Sequence, residues 1–285
     1  MERRRLGRTD HESSVAILGG AAFGVVSEDE AAAGFALAIE RGVNHLDIAP
    51  RYGEAEARIG PHLPAVRDQM FVACKTTRRN ADGVRAQMEE SLRRLQTDHL
   101  DLYQMHAVTT IDVLDQRAAA FEAMARARDE GLCRFVGITG HDLEVPQTFL
   151  EALRRYDLDT VMFPIYPGLW ARADYRAAAE ELLDMCAQRD IGVMVIKACA
   201  RRPWGEGERF ATSWYEPVVK PVEIERGVRF ALSTPGVHAF CTPGDLGILP
   251  TVLDAAEGCV PMSDEERAHA IESMVHEDLI FPMAR

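Results

Sequence analysis

The chain alternates short apolar segments with longer amphipathic ones, and it does so eight times. The apolar segments fall at 15–18, 43–47, 70–75, 100–106, 135–139, 160–163, 193–197 and 238–241. Ser27, with Glu30 three positions on, forms a capping-box signal for a helix that stops at Arg41-Gly42. Further helical patterns run over 55–60, 81–95, 112–130, 145–156, 173–188 and 222–232. A helix after each strand brings the chain back to the same edge, so the strands must be parallel. Eight such units in 285 residues predict a single (β/α)₈ TIM barrel spanning 1–285. A short N-terminal hairpin is expected over 4–15, and helical structure closes the C-terminus. The piece from Ala198 to Pro221 reads as a long, structureless, aromatic loop after the seventh strand, suited to a lid or a substrate wall.

Three successive strands end on ionisable side chains: Asp47, Lys75 and His106. Tyr52 follows Asp47 by five positions. Barrel enzymes build their sites at the C-terminal ends of the strands, so these four side chains converge on one face. A phenol is a weak acid near neutrality, and an ammonium beside it favours the phenolate and lowers its pKa. Asp47 would hold Lys75 by an ion pair, and His106 would orient a substrate oxygen. Together they form a proton donor and acceptor for a carbonyl/alcohol pair.

Composition excludes other classes. The formal net charge is −13, against nucleic acid or an anionic membrane as partner. The N-terminus has no signal-peptide core and no apolar run reaches membrane-span length, which predicts a cytoplasmic protein. The six cysteines are scattered without Cys-x-x-Cys spacing, so no metal site is expected.

Asp47-Ile48-Ala49-Pro50-Arg51-Tyr52-Gly53, with Glu56 and Gly60, resembles the aldo-keto reductase segment that carries the aspartate and catalytic tyrosine. Lys75 matches the lysine that ends the family's third strand. Ser91 to Leu95 and Asp101 to His106 are similar to the signature before its histidine, and Arg5-Leu6-Gly7-Arg8-Thr9 resembles its N-terminal segment. The resemblance is dense over 1–140 and thinner beyond. It implies a metal-free nicotinamide-dependent oxidoreductase acting on a small aldehyde or ketone, or the corresponding alcohol, with Tyr52 as proton donor.

The half of the site that the resemblance assigns to NADP(H) or NAD(H) departs from the family pattern. Thr139-Gly140-His141 stands where the family has Ser-Asn, Met162 aligns with a glutamine, and Lys197 replaces a stacking aromatic. Some family members carry lysine there, often with a cysteine cluster for iron–sulfur that this chain lacks. Thr242-Pro243-Gly244 resembles the phosphate loop, but 245–250 holds no cation for a 2′-phosphate. Only Arg201, Arg202 or Lys220 could supply one by folding over. Substrate-wall candidates in loops after strands are Phe23, Arg51, Tyr166, Trp170, Trp204 and Trp214. Two other readings share the barrel. One is a catalytically weak nucleotide-binding sensor, and the other a lyase or isomerase built on Tyr52 and Lys75.

Overall fold

A computed structural model of the chain describes residues 1–281. Eight parallel strands close into a barrel: β1 (Ala16–Gly19), β2 (His45–Asp47), β3 (Phe71–Thr76), β4 (Leu100–Met105), β5 (Cys133–Thr139), β6 (Thr160–Pro164), β7 (Gly192–Ile196) and β8 (Ala239–Cys241). β8 pairs with both β7 and β1, which completes the ring. Helices lie between the strands, and the large apolar layer between barrel and helices forms the main core.

Side chains alternate across a strand, so each barrel strand sends every second residue into the lumen. In the lower half these are Ile17, Phe71, Ala73, Leu102, Met162, Met194 and Ala239, which pack as one apolar cluster. Leu6 joins them from below. It enters from the hairpin Arg3–Arg5/Glu12–Ser14, just before the 3₁₀ turn Gly7–Thr9, and is fully buried. Gly7 has φ +51°, and a Cβ there would lie 2.3 Å from the Gly192 nitrogen, so only glycine lets the turn seat against β7. The hairpin is thus a stopper for the barrel floor.

The same alternation turns Asp47, Lys75, Gln104, Thr139 and Cys241 toward the upper lumen. Register keeps them level: Asp47 lies beside Gly19 and Ala73, and Lys75 beside Gln104. Apolar floor and polar ceiling are separated by one or two residues along each strand.

Two expected elements differ. The single helix expected over 112–130 is two helices, Ile111–Asp115 capped by the Thr110 hydroxyl and Ala118–Asp129. Arg117 leaves helical geometry at the break (φ −115°, ψ 11°), and its guanidinium donates to the His106 carbonyl. The 198–221 segment is not structureless, because Ala200–Arg202 pairs antiparallel with Glu216–Pro217 and cinches its base. The C-terminal region contains two helices, Leu249–Glu257 and Asp264–Glu272, the second opened by a Ser263/Glu266 capping box. Among the described residues no helix is long and apolar enough to cross a membrane.

Leu6→Ala should cost about 2–5 kcal/mol, the usual range for emptying a well-packed core position. In urea unfolding the midpoint should fall with little change in slope. A fall below ~1 kcal/mol would mean that the hairpin is not a stopper.

Candidate active site

At the C-terminal mouth lies a cleft, walled by strand ends on one side and by the 212–215 and 242–244 segments on the other. Asp47, Tyr52, Lys75 and His106 all line it. Asp47 and Lys75 are 2% and 1% exposed, and their Oδ2–Nζ distance is 2.5 Å. Lys75 also donates to the Ile48 carbonyl at 3.2 Å, and Gln104 donates to the other Asp47 oxygen at 2.9 Å. Every polar atom of the pair thus has a task, as a buried ion pair requires.

Tyr52 stands half-buried above this pair, with the Lys75 ammonium 5.0 Å from its ring centre. Its placement is local in origin. Gly53 turns at φ +54°, and a Cβ there would sit 2.4 Å from the Gly24 carbonyl, so a glycine contact fixes the chain next to the phenol. The His106 ring meets Tyr52 edge to face, with centroids 5.9 Å apart at 88°, and Trp214 closes the other side at 5.7 Å.

The charge states follow from these contacts. Burial would lower the Lys75 pKa, but the Asp47 carboxylate and Tyr52 more than reverse that and keep it cationic. Burial raises Tyr52 to about 12, because the Lys75 attraction that opposes it is smaller and Asp47 adds to the rise. The expectation of a lowered phenol pKa is therefore corrected: burial outweighs the ammonium. Burial, then the Lys75 charge, holds the His106 pKa well below its ordinary value, so the ring is neutral.

Across the cleft, Thr139, His141, Met162, Lys197, Thr242, Pro243 and Gly244 all reach the lining. Lys197 is buried with φ +74°, its ammonium 4.5 Å from the Tyr215 ring and 5.2 Å from Trp214. No ion pair compensates it among the described residues, and burial lowers its pKa to about 8. Such an unpaired cation facing the cleft fits an anionic cofactor such as a dinucleotide. Met162 is 1% exposed and offers the cleft only an apolar surface.

Several expected site residues lie elsewhere. Gly140 does not line the cleft, since a Cβ there would lie 2.4 Å from the Val108 carbonyl and its place is needed for packing. Phe23, Tyr166 and Trp170 are buried in the outer core, where Trp170 packs edge-on to Phe230 and the Tyr166 hydroxyl accepts from the Ile280 N–H. Trp204 donates to the Ser213 carbonyl and packs against Phe210, staying behind the wall rather than in it. Arg51 is exposed at the rim, outside the lining. Of the proposed walls only Trp214 reaches the cleft. Arg201 and Arg202 pair with Glu277 and Glu216, and Lys220 pairs with Glu223, so each meets a carboxylate away from the cleft lining.

Other residues in the cleft or just beneath it carry weaker sequence signals. Gln104 was legible in principle, two positions before His106 on the inward face. Cys241 contacts the Asp47 oxygen at 3.8 Å and marks the end of β8. Thr212 and Ser213 reach the cleft because the loop folds back on 244–245: the Thr212 N–H donates to Asp245 at 2.7 Å and its hydroxyl to the Gly244 carbonyl at 2.6 Å. Nothing local in the sequence announces that contact.

A family model described as the aldo/keto reductase family matches residues 16–201. The chain belongs to that family. It is 33% identical to L-galactose dehydrogenase of Arabidopsis thaliana over 59% of this chain and 58% of that protein. It is 28% identical to D-threo-aldose 1-dehydrogenase of a Pseudomonas species over 73% and 72%. The match thus spans less than two thirds of the first relative's length. The structure of the aldo-keto reductase AKR11C1 from Bacillus halodurans shares the fold, with a TM-score of 0.74 at 24% identity over 96% of each chain.

The buried histidines give this member of the family an acid limit. His106 lies well below its ordinary value of 6.5 and His141 falls to about 4, burial being the largest cause for both. The unfolded chain therefore takes up protons first as pH drops below 6.5, and stability is lost progressively from there toward the folded-state values. The urea midpoint should fall between pH 6.5 and pH 4, and His106→Asn should flatten the fall. A profile flat over that window would show that these rings are solvated.

Proposed function

We propose that this chain is a nicotinamide-dependent oxidoreductase that interconverts a small aldehyde or ketone with its alcohol, Tyr52 donating the proton in the reducing direction. The observation that carries the reading is the stacked order Asp47–Lys75–Tyr52 beneath a neutral His106. In it the phenol reaches the cleft beside the His106 ring, and the Asp47–Lys75 pair below it is buried and hydrogen-bonded.

Thr139, His141, Met162, Lys197 and the Thr242–Gly244 loop would hold the dinucleotide. Bound there, it supplies the hydride. The neutral His106 imidazole hydrogen-bonds the substrate oxygen and turns it toward the phenol. A Tyr52 pKa of about 12 keeps the proton on the phenol at neutral pH, so the donor is loaded before reaction. As the carbonyl carbon is reduced, its oxygen becomes a stronger base than phenolate and takes that proton. Lys75 then stabilises the phenolate left behind, and Asp47 keeps the ammonium in range. Trp214 and Tyr215 exclude water from this side of the cleft. With Arg201, Arg202 and Lys220 engaged elsewhere and Asp245 at the β8 loop, the protein should prefer NADH to NADPH. The extra phosphate would meet no cation there.

Titration with each cofactor, read by quenching of tryptophan fluorescence, should show binding, tighter for NADH. Cofactor oxidation with a reactive aldehyde should fall by about 10²–10⁴-fold in Tyr52→Phe while binding persists. Binding without turnover on any aldehyde or ketone would favour a sensor on the same barrel. That reading draws on the apolar Met162 surface.

A further inference from the structure

The mouth beside Tyr52 and His106 carries four arginines that the chemistry above does not use. Arg51 immediately precedes Tyr52 after β2. Arg78 and Arg79 follow β3, and Arg117 sits in the helix break after β4. Because β2, β3 and β4 are neighbours in the barrel, these loops share one arc of the rim. Asp and Glu outnumber Lys and Arg by 45 to 32, and arginines such as Arg41, Arg85, Arg155 and Arg229 are all ion-paired. None of the four arginines on the arc makes an ion pair among the described residues.

Arg117 sets the arc apart from an ordinary solvated surface. It is 8% exposed, its Nη1 donates to the His106 carbonyl, and its Nε is buried without any partner. Burial and then the charges of Arg79 and Arg51, both exposed on the adjoining loops, lower its pKa to about 10. A buried guanidinium without a counter-charge is costly, and natural folds almost always pair it. Support of the His106 backbone needs a donor, but not a cation, and not two more unpaired arginines beside it. The opposite arc, at 242–250, holds Asp245 and no Lys or Arg. Unpaired guanidiniums therefore gather at the rim on the β2–β4 side, while the cation across the cleft is the buried Lys197 ammonium.

We propose that Arg51, Arg79 and Arg117 form an anion subsite that binds the carboxylate or phosphate end of the substrate, so that the substrates are acidic aldehydes or ketones. This rests on the oxidoreductase reading of the cleft. The guanidinium fork suits either anion, and Arg117 couples the subsite to the catalytic loop through the His106 carbonyl. Occupied by an anion, Arg117 loses its uncompensated charge. The substrate is then gripped at one end while its carbonyl lies between Tyr52 and His106.

The test compares 4-formylbenzoate and 4-formylphenyl phosphate with the neutral methyl 4-formylbenzoate, in wild type and in Arg51→Gln/Arg79→Gln. Wild type should turn over at least one acid with kcat/KM about tenfold or more above the ester, mostly through KM, and 0.5 M NaCl should shrink that advantage. The variant should lose about tenfold of the acid-to-ester ratio. A general structural defect would lower all three substrates together and leave the ratio unchanged, which overturns the proposal, as does equal use of acid and ester by wild type. The better acid identifies the anion. If no aldehyde is turned over, the oxidoreductase reading fails by itself, and calorimetric binding of benzene-1,4-dicarboxylate then reads the subsite directly. Binding that weakens about tenfold in the variant supports an anion site, whereas no binding, or equal binding, overturns it.

Discussion

The ion pair between Lys75 and Asp47 governs the upper half of the barrel. Two opposite charges at 1% and 2% exposure persist only because each remaining donor and acceptor is engaged, by Ile48, by Gln104 and by the weak contact from Cys241. That requirement explains why polar side chains from β2, β3, β4 and β8 gather at one level of an otherwise apolar lumen. It also sets the chemistry. The ammonium is spent on Asp47, so its residual pull on Tyr52 is too small to overcome burial, and the phenol keeps its proton rather than standing as phenolate.

The strand–helix rhythm made the fold legible, because a parallel sheet with seven crossovers of this length has few ways to close. The convergence of the four cleft residues was legible for a related reason, since strand ends in a barrel must face each other and Asp47, Lys75 and His106 stand at three of them. What failed to show was whatever depends on loops meeting at a distance. Phe23, Tyr166 and Trp170 looked like walls because they follow strands, yet the next turn of chain carries each into the outer core. Thr212 lines the cleft only because Asp245, 33 positions later, captures its backbone. Gly140 reads as a lost polar anchor in sequence and as a packing necessity in three dimensions, where the Val108 carbonyl occupies the space a side chain would need.

The helix break at Arg117 is a second case of local pattern yielding to tertiary demand. Residues 112–130 carry a serviceable helical pattern, and nothing in their composition forbids a continuous helix. The interruption gains a hydrogen bond to the His106 carbonyl and brings a guanidinium beside it, a benefit visible only once the loop after β4 is in place.

The stopper at the barrel floor bears on the order in which the molecule can form. Arg5 meets Asp190 across 185 positions, and the turn that follows it seats on Gly192. The hairpin residues thus have no permanent place until the seventh strand exists. β1 likewise waits for β8 before its free edge is covered. Closure of the ring and plugging of its floor are therefore late events that depend on contacts of long sequence separation, which favours slow folding. Until then, the apolar lumen and the edge of β1 remain open to unintended partners.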